Sequence, residues 1–453
     1  MKIDLRLTFH YGLTIFLSAF LLFQVQPMIG KMILPWFGGS ASVWTTCMLF
    51  FQMILLLGYL YSHWIVARLS PRRQSQLHIA LLLASLLVMP IAPSDAWKPT
   101  GAENPTLRIL GLLLASIGLP YFVLSTTGPL VQAWFARERS GQVPYRLFAL
   151  SNFGSMLALI AYPLAIEPVL STRLQSWAWS GLFATFVVAC GLLAWRGRNS
   201  QPLEIRHHDE AQPITARQLM LWAALAACPS ILMVANTSFL TQNIAPIPLL
   251  WVAPLGLYLL SFILAFEGRG WYRRGLYLPL LVVSLAALAW LPTLGLSALP
   301  IQWSMGINLA AFFVACMACH GELARHQPHP AQLTTYFLML AVGGALGGFF
   351  VGVVAPYFFN SHYELSIAIV LSGLVVAIAV IPTLPAARPR WRLAAGVGCA
   401  LVLVALSALR IADHIDENSG ADALLRNFYG TLTVHSNPET GVRTMLHGQI
   451  IHG

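Results

Sequence analysis

From Phe9 to Leu409 the chain is a succession of apolar runs, most of them long enough to cross a bilayer. About 20 apolar residues coiled as a helix traverse the hydrocarbon core, and a lipid environment forces each backbone polar group to be satisfied within its own segment. Residues 57% hydrophobic and 9% charged over 453 positions exclude an ordinary soluble domain and a disordered chain alike. The runs predict thirteen spans, at about 9–28, 42–66, 76–92, 107–133, 145–166, 176–195, 218–240, 248–266, 275–292, 301–321, 332–357, 364–383 and 393–410. Proline, glycine and arginine separate them, as at Ser70 to Arg73 and at Pro385 to Arg392. The first run carries on through Gln24 to Pro27 with no small-residue cleavage site, so it reads as a mature helix and not as a removable leader.

The formal net charge of +10 does not point to nucleic acid. Only three of the 26 basic residues are lysines, and most arginines sit in short segments between apolar runs, which is how orientation signals are distributed. With the N-terminus in the cytoplasm, the inner segments hold 19 basic residues and the outer ones before the last helix hold four. Thirteen spans then leave the C-terminal tail on the outer side. The six cysteines lie mostly within apolar runs and form no disulfide framework. The polar stretch from Arg196 to Arg217 reads as a linker between two halves.

The halves echo one another. Phe148 to Ser155 aligns with Phe337 to Gly344 at an offset of 189, each followed by an apolar run and a proline. Amides are distributed unevenly: Gln24 and Gln26 in the first span, Gln132 in the fourth, Asn236, Gln242 and Asn243 near the outer end of the seventh, Asn308 in the tenth, and none in the cores of the third, sixth, ninth and twelfth. An amide in hydrocarbon turns to the bundle interior or to a cavity. Spans 1, 4, 7 and 10 lining the middle of two six-helix halves is the major facilitator arrangement. These seven amides, with Lys31 at the outer end of the first span, are the candidate substrate-binding residues; interhelical hydrogen bonding is the competing explanation for them.

Other patterns carry less. Gly343 to Gly348 places small residues four apart, which lets helices approach closely; no strand precedes it and no Gly-Lys-Ser/Thr follows, so it is not a nucleotide loop. Cys316, Cys319 and His320 match the haem-attachment pattern, but inside an apolar helix and at its cytoplasmic end, so no haem is expected. His320, Glu322, His326 and His329 have no recognised zinc spacing and read as a solvated turn. No metal or other cofactor is implied. No Asp or Glu lies in the middle of a span, which a simple proton-coupled or polycation carrier would want.

After Arg410 the chain turns acidic and polar, then alternates with period two over Asn427 to Val434 and over Val442 to Ile451, around a turn at His435 to Gly441. That is a β-hairpin signal. A lone hairpin is marginal in water, and its open edges invite another strand.

Several short motifs together resemble the fused major facilitator/spermidine synthase-like membrane proteins of bacteria. They are Gln24 to Lys31 with Pro35, Gly38, Gly39 and Val43 to Thr45; Ile247 to Trp251 with Pro254 to Tyr258; His320 to Leu323; and Gly343 to Gly348. The tail, Arg426 to Gly430 with Leu446 to Gly448 and Ile451 to Gly453, is similar to the opening hairpin of the aminopropyltransferase domain. The resemblance implies a bacterial inner-membrane protein and a synthase domain that continues beyond this hairpin. The Gly-rich donor loop and the catalytic acids of that domain are not in this sequence, so no aminopropyl transfer is expected of the chain alone, and no catalytic residue is assigned.

The sequence thus describes an all-α polytopic membrane protein of about 13 transmembrane helices, in a major-facilitator-like 6+6 arrangement plus one extra helix and a short C-terminal β-hairpin. Its parts are a first half at 1–197, a cytoplasmic linker at 198–217, a second half at 218–386, the extra helix at 387–412 and a polar tail at 413–453. The expected role is a transport or substrate-handling module for polyamines or related small molecules, its partners the lipid bilayer and a separately encoded synthase-like domain. The alternative is a catalytically silent membrane anchor whose hairpin recruits a soluble synthase-like partner by strand pairing.

Overall fold

A computed structural model describes residues 5–101, 104–138, 145–199, 213–243, 248–267, 270–294, 299–328, 332–384, 389–436, 442–447 and 450–451. The helices are α1 Leu5–Ile33, α2 Ala41–Arg68, α3 Pro71–Ser85, α4 Pro105–Leu113, α5 Leu119–Glu138, α6 Tyr145–Ala161, α7 Thr172–Gly197, α8 Ala216–Asn243, α9 Pro248–Glu267, α10 Arg274–Trp290, α11 Ile301–Arg325, α12 Leu333–Phe349, α13 Ala355–Phe358, α14 Glu364–Val380 and α15 Pro389–Asn418. Strands β1 Ala421–Asn427, β2 Gly430–Ser436, β3 Arg443–His447 and β4 Ile450–Ile451 form one antiparallel sheet in that order.

Among the described residues twelve helical stretches are long and apolar enough to cross a membrane. They match the expected runs except the third. There α3 has 15 residues and continues as a 3-10 turn over Leu86–Val88. The expected span at 76–92 starts too late because Ser70 and Pro71, read as a break, are a helix start: Ser70 is extended and Pro71 occupies the first turn. The buried face of α3 is polar. Gln74 Oε1 accepts from Trp134 Nε1 at 3.4 Å and from Arg137 Nη2 at 3.3 Å, and His78 lies against Cys190 Sγ at 3.6 Å and Tyr61 at 3.5 Å. Prolines inside α1, α5, α8, α9 and α10 are tolerated, as membrane helices allow.

The chain forms two compact units. Unit 1 comprises 1–37, 46–213 and 328–341; unit 2 comprises 38–45, 214–327 and 342–453. The core of unit 1 joins Tyr11 and Ile15 of α1 to Ile65, Leu130, Trp134, Leu147 and Leu193. Phe16 of α1 also meets Phe153, with ring centroids 6.2 Å apart. In unit 2, α12 lies close along α8, with Ser230 Oγ donating to Gly344 O at 2.9 Å. The small-residue run 343–348 is therefore a packing surface. Most of the proposed linker at 198–217 lies outside the described residues.

The repeat is visible in the helix bounds. α6 and α12 begin 188 positions apart and end 188 apart. Each runs into a π-helical turn, Tyr162–Ile166 and Phe350–Val354, again 188 apart. The structural register differs by one from the sequence alignment, and it also brings Pro168 and Pro356 into correspondence, 188 positions apart.

The C-terminal region extends the sequence reading. The expected hairpin is present as β2 and β3, paired from Leu432 with His447 to Ser436 with Arg443. It is joined by β1, from a stretch that reads as acidic tail, and by β4. Helix α15 runs past the expected end at 410 to Asn418. Arg410 forms an ion pair with Asp413, its Nε donates to Ser366 Oγ at 3.0 Å, and His414 stacks edge-on against Tyr363. These contacts hold the last two turns helical although their sequence is polar. The sheet sits against unit 2. Arg426 of β1 clamps the buried Glu364 carboxylate at 2.7 and 3.1 Å, and the Tyr429 ring lies over Gly38, whose φ is +84°.

Candidate functional site

In unit 1, α1 presents Gln24, Gln26 and Lys31 over two turns of its second half. Gln26 Nε2 donates to Leu22 O at 3.3 Å and to the Tyr121 hydroxyl at 3.2 Å. Its Oε1 is buried with no hydrogen-bond partner among the described residues, and so is Gln24 Oε1. Lys31 is ion-paired with Glu167, which follows the π turn ending α6. The sequence singles out Lys31 but does not announce this partner, because 136 positions lie between. Gln132 of α5 is half-buried and stands eleven residues from Tyr121, about 16 Å along the helix axis, so it does not join this group.

In unit 2, Asn236 of α8 and Asn308 of α11 are 0% and 1% exposed. Both polar atoms of each side chain lack a partner among the described residues. Asn236 is seven residues from the end of α8 and Asn308 seven from the start of α11, so each lies about 10 Å inside its helix terminus. The indole nitrogen of Trp251 on α9 is likewise buried without a partner, and its ring lies 5.3 Å from that of Trp44. The side chains of Gln242 and Asn243 are outside the described residues.

Hydroxyls that share these spans are spent locally. Thr237 bonds Met233 O at 2.7 Å, Thr241 bonds Thr237 O at 2.8 Å, and Thr126 and Thr127 both bond Val123 O. A threonine in a helix satisfies itself on the preceding turn, whereas an amide needs a partner from elsewhere. That difference separates orphaned amides from polar residues that merely look alike in sequence.

The first part of the expected solvated turn, His320 to Leu323, is buried helix. Glu322 is 0% exposed and His320 is buried. The Glu322 carboxylate accepts from Arg274 Nε at 2.7 Å, Arg274 Nη2 at 2.6 Å and the Tyr272 hydroxyl at 2.7 Å. Burial and the adjacent carboxylate push the Tyr272 phenol well above its ordinary value. His320 Nδ1 meets Ser261 Oγ at 2.9 Å, with its ring edge-on to Tyr258 and Phe262. His329 lies outside the described residues. The polar letters His-Gly-Glu mislead because Gly321 admits the Tyr272 ring against the helix, and that contact is set by tertiary structure. Cys316 and Cys319 are fully buried in α11, as filler of an apolar helix would be.

Acids of both units thus hold bases of their own chain: the half-buried Glu167 with Lys31, and the buried Glu322 with Arg274 and Glu364 with Arg426. The buried polar atoms left over are chiefly neutral amides.

No family model matches the chain, and no curated protein matches it. Among solved structures it is similar to the in meso crystal structure of the POT family transporter PepTSo, at 14% identity over 90% of this chain and 98% of that one, with a TM-score of 0.47.

Proposed function

We propose that this multi-pass membrane protein is a transport or substrate-handling module for polyamines or related small polar molecules. The observation that carries the reading is the state of Asn236 and Asn308: four buried amide atoms without a partner among the described residues, on helices long and apolar enough to cross a membrane. An unsatisfied polar atom away from water is costly, so such atoms mark places where a polar solute completes the bonding. Gln26 Oε1 is a third such position, in unit 1. The proposal includes a major-facilitator-like 6+6 arrangement with α15 as the extra helix, a bacterial inner-membrane location and a cytoplasmic N-terminus; the arginine asymmetry between loops supports the orientation. Under that orientation α3 with its 3-10 extension crosses as the thirteenth span.

Uptake of labelled putrescine and spermidine into proteoliposomes tests the reading. Transport that Asn236→Leu or Asn308→Leu abolishes, with the variants still folded, is the expected result. Uptake unchanged in both variants overturns it.

One observation favours the second reading, a silent anchor for a soluble synthase-like partner. The four-stranded sheet is held against unit 2 by the Arg426 clamp, and its edges are the outer sides of β1 and the two-residue β4. A fixed sheet with an open edge is suited to strand addition. A partner that copurifies with the chain, together with no uptake of any amine, would select this reading.

A further inference from the structure

In unit 1 a second group of orphaned atoms stands apart from Gln26, and all of its members are oxygens. Gln24 Oε1, the Tyr162 hydroxyl and Gln175 Oε1 are buried with no partner among the described residues. Three elements bring them together. On α1, Gln24 and Lys31 are seven residues apart and share one face. On the π turn, the Glu167 amide donates to Tyr162 O at 2.8 Å, so Tyr162 sits one turn below Glu167. The Lys31–Glu167 ion pair joins those two faces. On α7, Trp179 Nε1 donates to Leu21 O at 3.1 Å, and Gln175 lies one turn from Trp179 toward the Lys31 end. Gln175 Nε2 is already engaged, by Leu170 O at 2.8 Å, which leaves its oxygen as the free atom. Helix rise thus places the three oxygens about one to two turns beneath the Glu167 carboxylate, each on one of three neighbouring elements, in a column.

We infer that this column, formed by Gln24, Tyr162, Gln175 and Glu167, is a binding site for a primary alkylammonium group, and that Lys31 is the internal ligand that fills its rim. The inference rests on the proposed handling of small amines and names where one is held. Carbonyl oxygens call for hydrogen-bond donors, which excludes anions; a phenol can serve either way. The absence of any second free carboxylate in the group disfavours a divalent ion. Lys31 supplies the remaining clue, because its side chain is itself an ammonium on an alkyl stem. The Lys31 and Glu167 side chains keep 30% and 28% of their surface exposed. An ion pair that wet is held weakly, so a free ammonium can displace the lysine from the rim and then move below it to donate its N–H groups to the buried oxygens. Lys31 then acts as a competitor at high local concentration, which lowers the apparent affinity for the solute.

The test is binding of n-butylammonium to the purified full chain in detergent, by calorimetry. Lys31→Met removes the competitor and should tighten binding about tenfold. Glu167→Gln should abolish binding. Tyr162→Phe, close in shape and able to fold if Lys31→Met does not, should weaken it about tenfold, as loss of one hydrogen bond to a charged group does. Tetramethylammonium has the charge without an N–H and should not bind Lys31→Met better than wild type. Equal butylammonium affinity in wild type, Lys31→Met and Tyr162→Phe overturns the inference, as does equal binding of tetramethylammonium or sodium. The two readings fail separately. Amine uptake by proteoliposomes with butylammonium affinity unaffected by these variants removes the column and leaves transport standing. Binding with the expected variant pattern but no uptake keeps the column and removes transport.

Discussion

Replacing Gly343 by alanine tests how closely α12 and α8 approach. A Cβ at Gly343 would stand 2.2 Å from Ala223 O, 2.8 Å from Ala226 Cβ and 3.0 Å from the Ala223 carbonyl carbon. None of these is the end of a flexible side chain, so the helix itself has to retreat by roughly 1 Å to reach ordinary van der Waals separation. That displacement takes the 2.9 Å bond from Ser230 Oγ to Gly344 O past the limit of a hydrogen bond. Overpacking of this kind costs about 1–3 kcal/mol, and an interhelical hydrogen bond in a membrane protein is worth about 0.6 kcal/mol. Alanine recovers about 0.5–1 kcal/mol of helix propensity over glycine. The net loss is about 1–3 kcal/mol. The neighbouring position is the control, since a Cβ at Gly344 would meet nothing within 4 Å. Thermal unfolding of the two variants in detergent, followed by tryptophan fluorescence, should show Gly343→Ala melting lower and Gly344→Ala at or above wild type. Equal melting of the two would refute the reasoning, and with it the account of 343–348 as a packing surface.

Three further outcomes follow from the same geometry. Because neither polar atom of Asn236 has a partner among the described residues, Asn236→Leu should leave thermal stability unchanged or raise it while uptake is lost; a marked fall in melting temperature would show that the amide is structural glue. Arg426→Ala leaves the buried Glu364 carboxylate without its clamp, a loss of about 3–5 kcal/mol for a broken buried pair. Limited chymotrypsin digestion should then cut at the Leu424, Leu425, Phe428 and Tyr429 sites between α15 and β2 sooner than in wild type, and an unchanged digestion pattern would show that the clamp does not hold the sheet. Tyr272 titrates above its ordinary value of 10.0 in the folded chain, so its contribution to stability is whole below pH 10 and is lost as pH rises through the folded value. Tyr272→Phe should flatten the alkaline limb of a plot of stability against pH, and a slope identical to wild type would contradict that assignment.

Much of this architecture is readable from the chain because membrane spans are local. Each apolar run carries its own hydrogen bonds, so hydropathy, proline and arginine place twelve of the thirteen expected runs and their order without knowledge of neighbours. The failures are where a neighbour decides. Helix α3 reads as beginning late because its buried face holds Gln74, Ser75 and His78, which are satisfied by Trp134, Arg137, Tyr61 and Cys190. Strand β1 and the last turns of α15 read as acidic tail because His414 and Arg426 are polar letters whose partners, Tyr363 and Glu364, stand elsewhere in the chain, and because Arg410, which pairs with Asp413 one turn along α15, is itself anchored by Ser366. Glu322 reads as solvated because nothing nearby in sequence announces Arg274.

The sequence alone determined that this chain lives in lipid, how many helices it offers and which few amides could matter, since those properties follow from the composition of short stretches. Tertiary structure decided which polar atoms remain without partners. Thr237 and Asn236 are adjacent and equally polar, yet one bonds its own helix and the other stays open, and Lys31 finds its carboxylate across 136 residues. The physical reason is that transfer into hydrocarbon is a property of each residue, whereas hydrogen-bond satisfaction belongs to pairs, and only the packed helices determine the pairs.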